Sequence, residues 1–359
     1  MKGKRDPNLD LLRALAIVMV IVFHLSVMWP VRRDFVSRWG SLGEHGVTLF
    51  FVLSGWLIGN IYWKELKAKG RIRLTEFWLK RWLRTIPPYI AGFALAFCSA
   101  FALRGDVFDW NYVFFLQNYQ SQLVLYKISW SLCVEEHFYL ALPLIGWMLS
   151  HWVRIRSTVV ILLPLLPMFL RMSDPWAGPS ETFGYAKTAT HLVFEGMAFG
   201  VLGSYLNIYF HHRWLAFQSI ASRFWILAIA IFLSSVYWEP SFEYYLGHTL
   251  IAFIGVSILA AVAARKPLPF ATSPAVYYVA ITSYSTYLTH SLVLHVGRKL
   301  TSADATVLME VVTLPMWLLL IMISGVAFYF CIERPTIQLR AKLLREAVKV
   351  ESALPPTKV

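Results

Sequence analysis

The sequence predicts an all-α membrane protein, a polytopic bundle of about ten transmembrane helices with both termini in the cytosol. Apolar residues make up 58% of the 359-residue chain and charged residues only 15%, whereas soluble domains are nearer half apolar and a quarter charged. The apolar residues also come in runs of about twenty, which is the length that crosses a bilayer. These observations argue against a soluble enzyme and predict an integral membrane protein.

Ten spans can be drawn along the chain, with ends uncertain by about three residues. They are 9–29, 46–63, 86–103, 128–150, 157–172, 190–210, 221–238, 244–264, 275–297 and 306–332. A further apolar stretch, Val107 to Tyr119, is interrupted by polar residues and is shorter than a span, so a re-entrant or interfacial segment is predicted there. The first stretch lacks the cleavage site of a signal peptide, and we expect it to remain as a helix.

Lysine and arginine residues predict the orientation. Eight of them lie between Lys64 and Arg84, and six follow Glu333. Because basic loops stay in the cytosol, this segment and both termini are predicted to be cytosolic. The net charge of +13 is then a topology signal that favours membrane lipids and anionic ligands over nucleic acid. Residues 1–335 are expected to form the transmembrane domain, and 336–359 a basic cytosolic tail.

The first span carries three ionisable residues, Asp10, Arg13 and His24. Such residues are costly in a membrane, and by default they face a protein interior or a polar cavity. Arg13 and His24 are eleven residues apart, so at about 100° per residue they lie on one helical face, about 16 Å apart along the axis. This face therefore holds a permanent cation near one end and a proton-transfer group deeper in the span.

Arg81 and Arg84 are three residues apart and share a helical face at the membrane surface. Two guanidinium forks suit phosphate groups, although lipid headgroup binding or topology alone also explains basic residues there. In the second span, Ser54 and Gly55 either allow close helix packing or supply donors to a ligand.

The fourth span contains Glu135, Glu136 and His137, and the ninth contains Tyr287 and His290. Adjacent residues on a helix point about 100° apart, so at most one of the two glutamates faces a given cavity squarely. A histidine and a carboxylate within the membrane fit a proton relay in a transporter or general base catalysis on a substrate hydroxyl. The cytosolic arginines favour the second class, because an acyl donor on a phosphate-bearing carrier needs cations at the membrane surface.

The three cysteines lie in or beside apolar runs, and their odd number and spacing give neither a disulfide framework nor a metal site. No metal cofactor is expected.

Six motifs, taken together and in order, resemble the acyltransferase 3 family of integral membrane O-acyltransferases. They are Leu9-Asp10-Leu11-Leu12-Arg13-Ala14 followed by His24, Phe50-Phe51-Val52-Leu53-Ser54-Gly55, Arg81-Trp82-Leu83-Arg84, Trp130-Ser131-Leu132-Cys133-Val134-Glu135-Glu136-His137-Phe138-Tyr139, Tyr284-Ser285-Thr286-Tyr287-Leu288-Thr289-His290 and Glu333-Arg334-Pro335. The resemblance runs from Leu9 to Pro335, nearly the whole chain.

The resemblance implies a bacterial cytoplasmic (inner) membrane enzyme that moves an acyl group from acetyl-CoA or another short acyl-CoA. The acceptor would be a hydroxyl of a carbohydrate or lipid-linked glycan. Some relatives carry an extracytoplasmic hydrolase-like domain after the last helices, and this chain ends about 27 residues after its tenth span, so a stand-alone type is expected.

The resemblance also implies roles for particular residues. His24 is expected to be the general base or the acyl-accepting residue, with Glu135 orienting or stabilising it. By the same resemblance, Arg13 matches the family's arginine, and Arg81 and Arg84 match residues near the coenzyme A phosphates, so all three are expected to bind the donor. Independently of the resemblance, Ser54 is also expected to bind the donor, and the residues expected to bind substrate are Asp10, Glu136, Tyr287 and His290. The alternative function is a proton-coupled secondary transporter that uses His24 and Glu135 as a relay, but the sequence lacks the internal repeat that many transporters show.

Overall fold

The computed structural model describes residues 5–28, 39–148, 152–179, 182–263, 265–300 and 307–353. These residues form helices joined by turns and contain no β-strand, which confirms the all-α fold. The longer helices are numbered in chain order: α1 Pro7–Met28, α2 His45–Lys69, α3 Leu74–Arg104, α4 Trp130–Met148, α5 Val153–Leu162, α6 Leu166–Ser173, α7 Glu195–Tyr209, α8 His211–Arg223, α9 Trp225–Ser234, α10 His248–Ala263, α11 Pro274–Leu300, α12 Val307–Phe328 and α13 Arg334–Ala353.

Within the described residues, six helical stretches are long and apolar enough to cross a membrane, so the chain is an integral membrane protein. They cover Pro7–Val27, Trp39–Lys69, Leu74–Ala102, Val153–Ser173, Pro240–Ala263 and Thr313–Leu344. The bent pair α8 and α9, with an angle of 66°, would make a seventh span. The predicted spans 128–150, 190–210 and 275–297 fall on α4, α7 and α11, which are helical but are not among the six. The count of ten and the cytosolic termini stay predictions.

Close backbone contact between α2 and α7 holds the centre of the bundle together. A Cβ atom on Gly55 would lie 2.0 Å from the carbonyl oxygen of Met197, and one on Gly200 would lie 2.2 Å from that of Val52. No side chain fits at either position, and small residues of this kind let membrane helices approach each other. Gly55 is therefore a packing residue, and Ser54 is the member of that pair that faces a cavity.

Helix α3 is longer than the predicted span 86–103, because it begins at Leu74 and continues through two consecutive prolines. A proline removes an amide donor from a helix, and membrane helices tolerate it where neighbouring groups satisfy the backbone. Just before the prolines, Thr85 donates to the carbonyl of Arg81 at 3.3 Å, and Tyr284 of α11 donates to the carbonyl of Thr85 at 2.9 Å. Much of the predicted basic loop is therefore helix, and Arg81 and Arg84 lie one turn apart on it.

The stretch Val107 to Tyr119 forms no spanning helix, as predicted, and its regular structure is limited to two three-residue 3-10 turns. Buried hydrogen bonds fix it against the bundle. Gln117 donates to the hydroxyl groups of Tyr89, at 3.1 Å, and Ser129, at 3.0 Å. The chain that follows reaches α4 along the end of the bundle where α3 ends, and it lines a cavity there.

Helix α12 continues through a π-helical turn, Tyr329–Glu333, directly into α13. The predicted boundary at residue 335 thus lies within a continuous helical segment. Ile337, two residues beyond that boundary, lines a cavity of the bundle, so the start of the predicted tail packs on the transmembrane part.

Candidate active site

Two adjoining cavities lie inside the bundle. The first, here called the arginine cavity, has a volume of about 200 Å³, and its charged lining residues are Arg5, Arg13, Arg81, Arg84, Glu135 and Glu333. The second, here called the histidine cavity, has a volume of about 490 Å³ and is lined by His24 and by many apolar side chains, such as Val20 and Leu292. Its charged lining residues are Glu44, Arg104, Lys127, Lys187 and Lys299. Helix α1 lines both cavities, since Arg13 faces the first and His24 the second.

A hydrogen-bond network in the arginine cavity joins α2, α3 and α4. The Glu135 carboxylate oxygen Oε2 accepts from the Tyr139 hydroxyl at 2.5 Å, the Ser54 hydroxyl at 3.4 Å and the Arg81 guanidinium at 3.5 Å. The Arg81 guanidinium also lies over the Tyr139 ring, 4.0 Å from its centroid, as cations over aromatic faces do. The network fixes the orientation of Arg81 at the cavity wall.

Asp10 holds two further arginines at the same end of α1. Its buried carboxylate accepts from Arg5 at 2.9 and 2.8 Å and from Arg13 at 2.7 Å. Asp10, for which the sequence predicts a substrate-binding role, has both oxygens hydrogen-bonded to arginines and does not line the cavity. Its structural role is to position Arg5 and Arg13, which do line the cavity.

The hydrogen bond made by His24 decides which of its ring nitrogens carries the proton. Its Nδ1 lies 2.9 Å from the carbonyl oxygen of Val20, one turn earlier in α1. A carbonyl oxygen can only accept, so Nδ1 is the protonated nitrogen and Nε2 keeps its lone pair. A general base needs such a lone pair.

His290 packs behind His24. The two rings lie edge to face with their centroids 4.7 Å apart, and His290 is fully buried. Its Nδ1 donates to the carbonyl of Tyr287 at 2.7 Å, and among the described residues its Nε2 has no hydrogen-bond partner. His290, for which the sequence predicts a substrate-binding role, lines neither cavity, and its ring packs against that of His24.

Glu135 and Glu136 lie in different surroundings, and neither contacts His24 through a hydrogen bond in the described part of the chain. Glu135 hydrogen-bonds the Arg81 network in the arginine cavity, whereas His24 lines the histidine cavity and bonds Val20. The tautomer of His24 is therefore held by a backbone carbonyl, and the predicted contact with Glu135 is not made. Glu136 is buried and lines neither cavity, so only one of the two glutamates faces a cavity, as the helical geometry predicts.

The structure brings five of the predicted site residues together at one cavity, and three further residues lie in or beside it. Arg13, Ser54, Arg81, Arg84 and Tyr287 all line the arginine cavity. These three, Arg5, Tyr139 and Glu333, have no predicted site role. Tyr139 and Glu333 lie in motifs that carry the family resemblance, which was the available signal, whereas Arg5 lies outside those motifs.

In the described part of the chain, no three His, Cys, Asp or Glu side chains gather closely enough to hold a metal ion.

Comparison with known proteins gives a consistent result. A family model described as an acyltransferase domain, that of acyltransferase 3, matches residues 6–334. The peptidoglycan O-acetyltransferase OatA of Listeria monocytogenes is 29% identical over 315 residues, covering 80% of this chain and 49% of that protein. The O-acetyltransferase OatA of Staphylococcus aureus is 32% identical over 170 residues, covering 43% of this chain and 26% of that protein.

The chain thus spans about half the length, or less, of the curated relatives it matches. No solved structure matches it.

Proposed function

This chain belongs to the acyltransferase 3 family, and from that premise we propose that it is a membrane-bound O-acyltransferase. It moves an acyl group, acetyl in the first instance, from cytosolic acyl-CoA to a hydroxyl group of a carbohydrate or lipid-linked glycan. Peptidoglycan, which is named for the Listeria relative, is one carbohydrate of this class.

The donor binds in the arginine cavity. The phosphate groups of coenzyme A carry several negative charges, and arginine forks bind phosphate oxygens in a bidentate manner. Arg81 and Arg84 on α3 and Arg13 on α1 line this cavity, and Arg5 lies beside Arg13 on the same carboxylate. The histidine cavity is lined by as many cations, but three of its four are lysines. The four arginine forks of the arginine cavity therefore favour this cavity for the phosphate groups of the donor.

The acceptor binds in the histidine cavity, and His24 performs the proton transfer. Nε2 of His24 takes the proton of the acceptor hydroxyl while the hydroxyl oxygen attacks the thioester carbon. The carbon–sulfur bond then breaks, the new carbon–oxygen ester bond is complete, and the proton passes to the coenzyme A thiolate. A route in which His24 itself carries the acyl group for part of the cycle uses the same nitrogen.

The observation that carries the proposal is that one helix, α1, serves both cavities. Arg13 faces the arginine cavity and His24 faces the histidine cavity, as expected for a donor and an acceptor that approach from opposite ends of the bundle. The transporter alternative has less support, because His24 and Glu135 line different cavities and bond different partners.

Label transfer in membrane vesicles tests the proposal. Inside-out vesicles that contain the chain are incubated with coenzyme A carrying a labelled acyl group, and the carbohydrate and glycolipid fractions are then counted. Vesicles without the chain set the background. We expect label in one of these fractions, and its absence under conditions where the chain is present in the membrane would overturn the proposal.

The variant His24→Gln tests the role of the base. A positioned histidine base contributes about 10²–10⁴-fold to a reaction rate, so transfer should fall by that factor while the amount of chain in the membrane is unchanged. His212→Gln provides the matched control, because His212 is exposed at the start of α8 and lines neither cavity. Full activity of His24→Gln would remove His24 from the mechanism.

A further inference from the structure

Two side chains separate the arginine cavity from the histidine cavity. Among the described residues, Val47 of α2 and Tyr287 of α11 are the two that line both cavities. Both are buried, with exposed fractions of 8% and 6%. They therefore form a wall that has the arginine cavity on one side and the histidine cavity on the other.

Tyr287 is held firmly in this wall. Its hydroxyl group lies 2.6 Å from the Ser131 hydroxyl and donates to the carbonyl of Ile128 at 2.8 Å. Ser131 lines the arginine cavity and Ile128 the histidine cavity. The Tyr287 hydroxyl is thus hydrogen-bonded to one residue of each cavity.

The wall also lies close to the proposed base. The ring of Tyr287 is 5.6 Å, between centroids, from the ring of His290, which in turn packs on His24 at 4.7 Å. Phe50, one turn after Val47 on α2, also contacts the tyrosine ring. An acyl group that passes from a carrier in the first cavity to a hydroxyl beside His24 must therefore come into contact with this wall.

We infer that Val47 and Tyr287 determine the length of the acyl group that this chain transfers, an inference that rests on the proposed function. The thioester carbon must reach the hydroxyl beside His24, so the rest of the acyl chain has to fit against the two side chains. Beyond the thioester carbon, an acetyl group has only a methyl group to place against the wall. A butyryl group has two methylene groups in addition to its methyl group. A closely packed wall accepts the first and excludes the second, because each added carbon displaces packed atoms.

The experiment compares acyl donors of different length in the same vesicles. Acetyl-CoA, butyryl-CoA and hexanoyl-CoA are supplied to vesicles with the natural chain and to vesicles with Val47→Ala, and kcat/KM is measured for each donor. The natural chain should prefer acetyl. Removing two methyl groups from the wall should raise the butyryl-to-acetyl ratio of kcat/KM by about tenfold, since one methylene in an apolar pocket changes specificity by about 10- to 200-fold.

Two further variants make the result decisive. Val47→Ile adds a methylene to the wall and should lower the same ratio, and it carries the test if the alanine variant does not accumulate in the membrane. Val256→Ala removes the same atoms from a buried valine of α10 that lines neither cavity, and its ratio should equal that of the natural chain.

The outcomes separate the inference from the proposed function. If the natural chain transfers no acyl group from any coenzyme A donor, the proposed function fails. If the natural chain transfers acetyl but both Val47 variants keep its ratio, the function stands and the wall does not select the acyl chain. If the butyryl-to-acetyl ratio of kcat/KM rises equally in Val47→Ala and Val256→Ala, the effect comes from less tight packing of the whole bundle, and the inference is overturned.

Discussion

The arginine cavity and the histidine cavity differ in how they hold their polar groups. In the arginine cavity, charged side chains are held by other charged side chains, as in the contacts of Asp10 with Arg5 and Arg13 and of Glu135 with Arg81. In the histidine cavity, His24 is held by a backbone carbonyl and by the edge of a second histidine ring. The first cavity thus offers arginines in fixed orientations to a charged ligand, whereas the second, which also has charged lining residues, contains the histidine that can move a proton.

This difference has a kinetic consequence. Interactions that a ligand makes equally in the ground state and the transition state change KM, whereas interactions made only in the transition state change kcat. Substitutions in the arginine cavity should therefore act mainly on the KM for acyl-CoA, and substitutions at His24 mainly on kcat.

The largest effect on donor binding is expected for Arg81→Ala. Arg81 lines the cavity and is oriented by Glu135 and Tyr139, so its loss removes a charge-assisted contact with phosphate. A hydrogen bond to a charged group contributes about 1.5–3 kcal/mol, which corresponds to a rise in KM for acyl-CoA of about 10- to 100-fold. The kcat value should change little, and steady-state kinetics in vesicles at several donor concentrations measures both parameters.

Lys80→Ala is the control for Arg81→Ala. Lys80 is the preceding residue of α3, pairs with Glu76 and lines neither cavity. Its loss removes the same charge from the same helix and should leave the KM unchanged. Equal effects of the two substitutions would assign the result to the overall positive charge of this surface, and a lower kcat at constant KM would place Arg81 in the chemical step.

The sequence predicted the fold class and most of the arginine cavity, because both depend on local patterns. Runs of apolar residues reveal helices whatever their neighbours are, and six of the ten drawn spans overlap helices long and apolar enough to cross a membrane. Arg81 and Arg84 share a helix, so their spacing was sufficient to predict a common location at the cavity.

The sequence could not show that His24 and Glu135 line different cavities. Helical spacing places residues on a face of their own helix, but it does not tell which neighbouring helix that face meets. Glu135 lies one turn from Tyr139 on α4 and faces α3, where Arg81 meets it. The carbonyl that holds His24 belongs to α1 itself. Every residue type has a backbone carbonyl, so the residue types in the sequence do not reveal this partner.

Glu135→Gln should have a smaller effect than Arg81→Ala and should also change the KM. The amide oxygen of glutamine keeps the acceptor for Tyr139 and Ser54, but the substitution removes the charge that holds Arg81, and charge-assisted bonds are about twice as strong as neutral ones. The loss of a negative charge beside the donor phosphates offsets part of this effect. We expect the KM for acyl-CoA to rise about three- to tenfold.

The same experiment distinguishes two roles for Glu135. If Glu135 supports His24 after all, Glu135→Gln should lower kcat and leave the KM unchanged, as loss of a base-orienting group does. Glu136→Gln provides the comparison, because Glu136 is the adjacent buried glutamate and lines neither cavity. If kcat falls for Glu135→Gln but not for Glu136→Gln, the arginine cavity takes part in the chemical step, and the assignment of KM effects to one cavity and kcat effects to the other is wrong.

Asp10→Asn should have the smallest effect of the three. The asparagine oxygen can replace Oδ1, which accepts from both Arg5 and Arg13, whereas its amide nitrogen replaces Oδ2 and cannot accept from Arg5 Nε. Arg5 and Arg13 stay in the cavity wall but become less well oriented, and a rise in KM of about two- to fivefold is expected from one weakened charge-assisted bond. Asp6→Asn is the control, since the exposed Asp6 caps the backbone amide of Asn8. An Asp10→Asn variant with lower kcat and unchanged KM would mean that the start of α1 governs the position of His24, so that the two cavities are coupled through the helix they share.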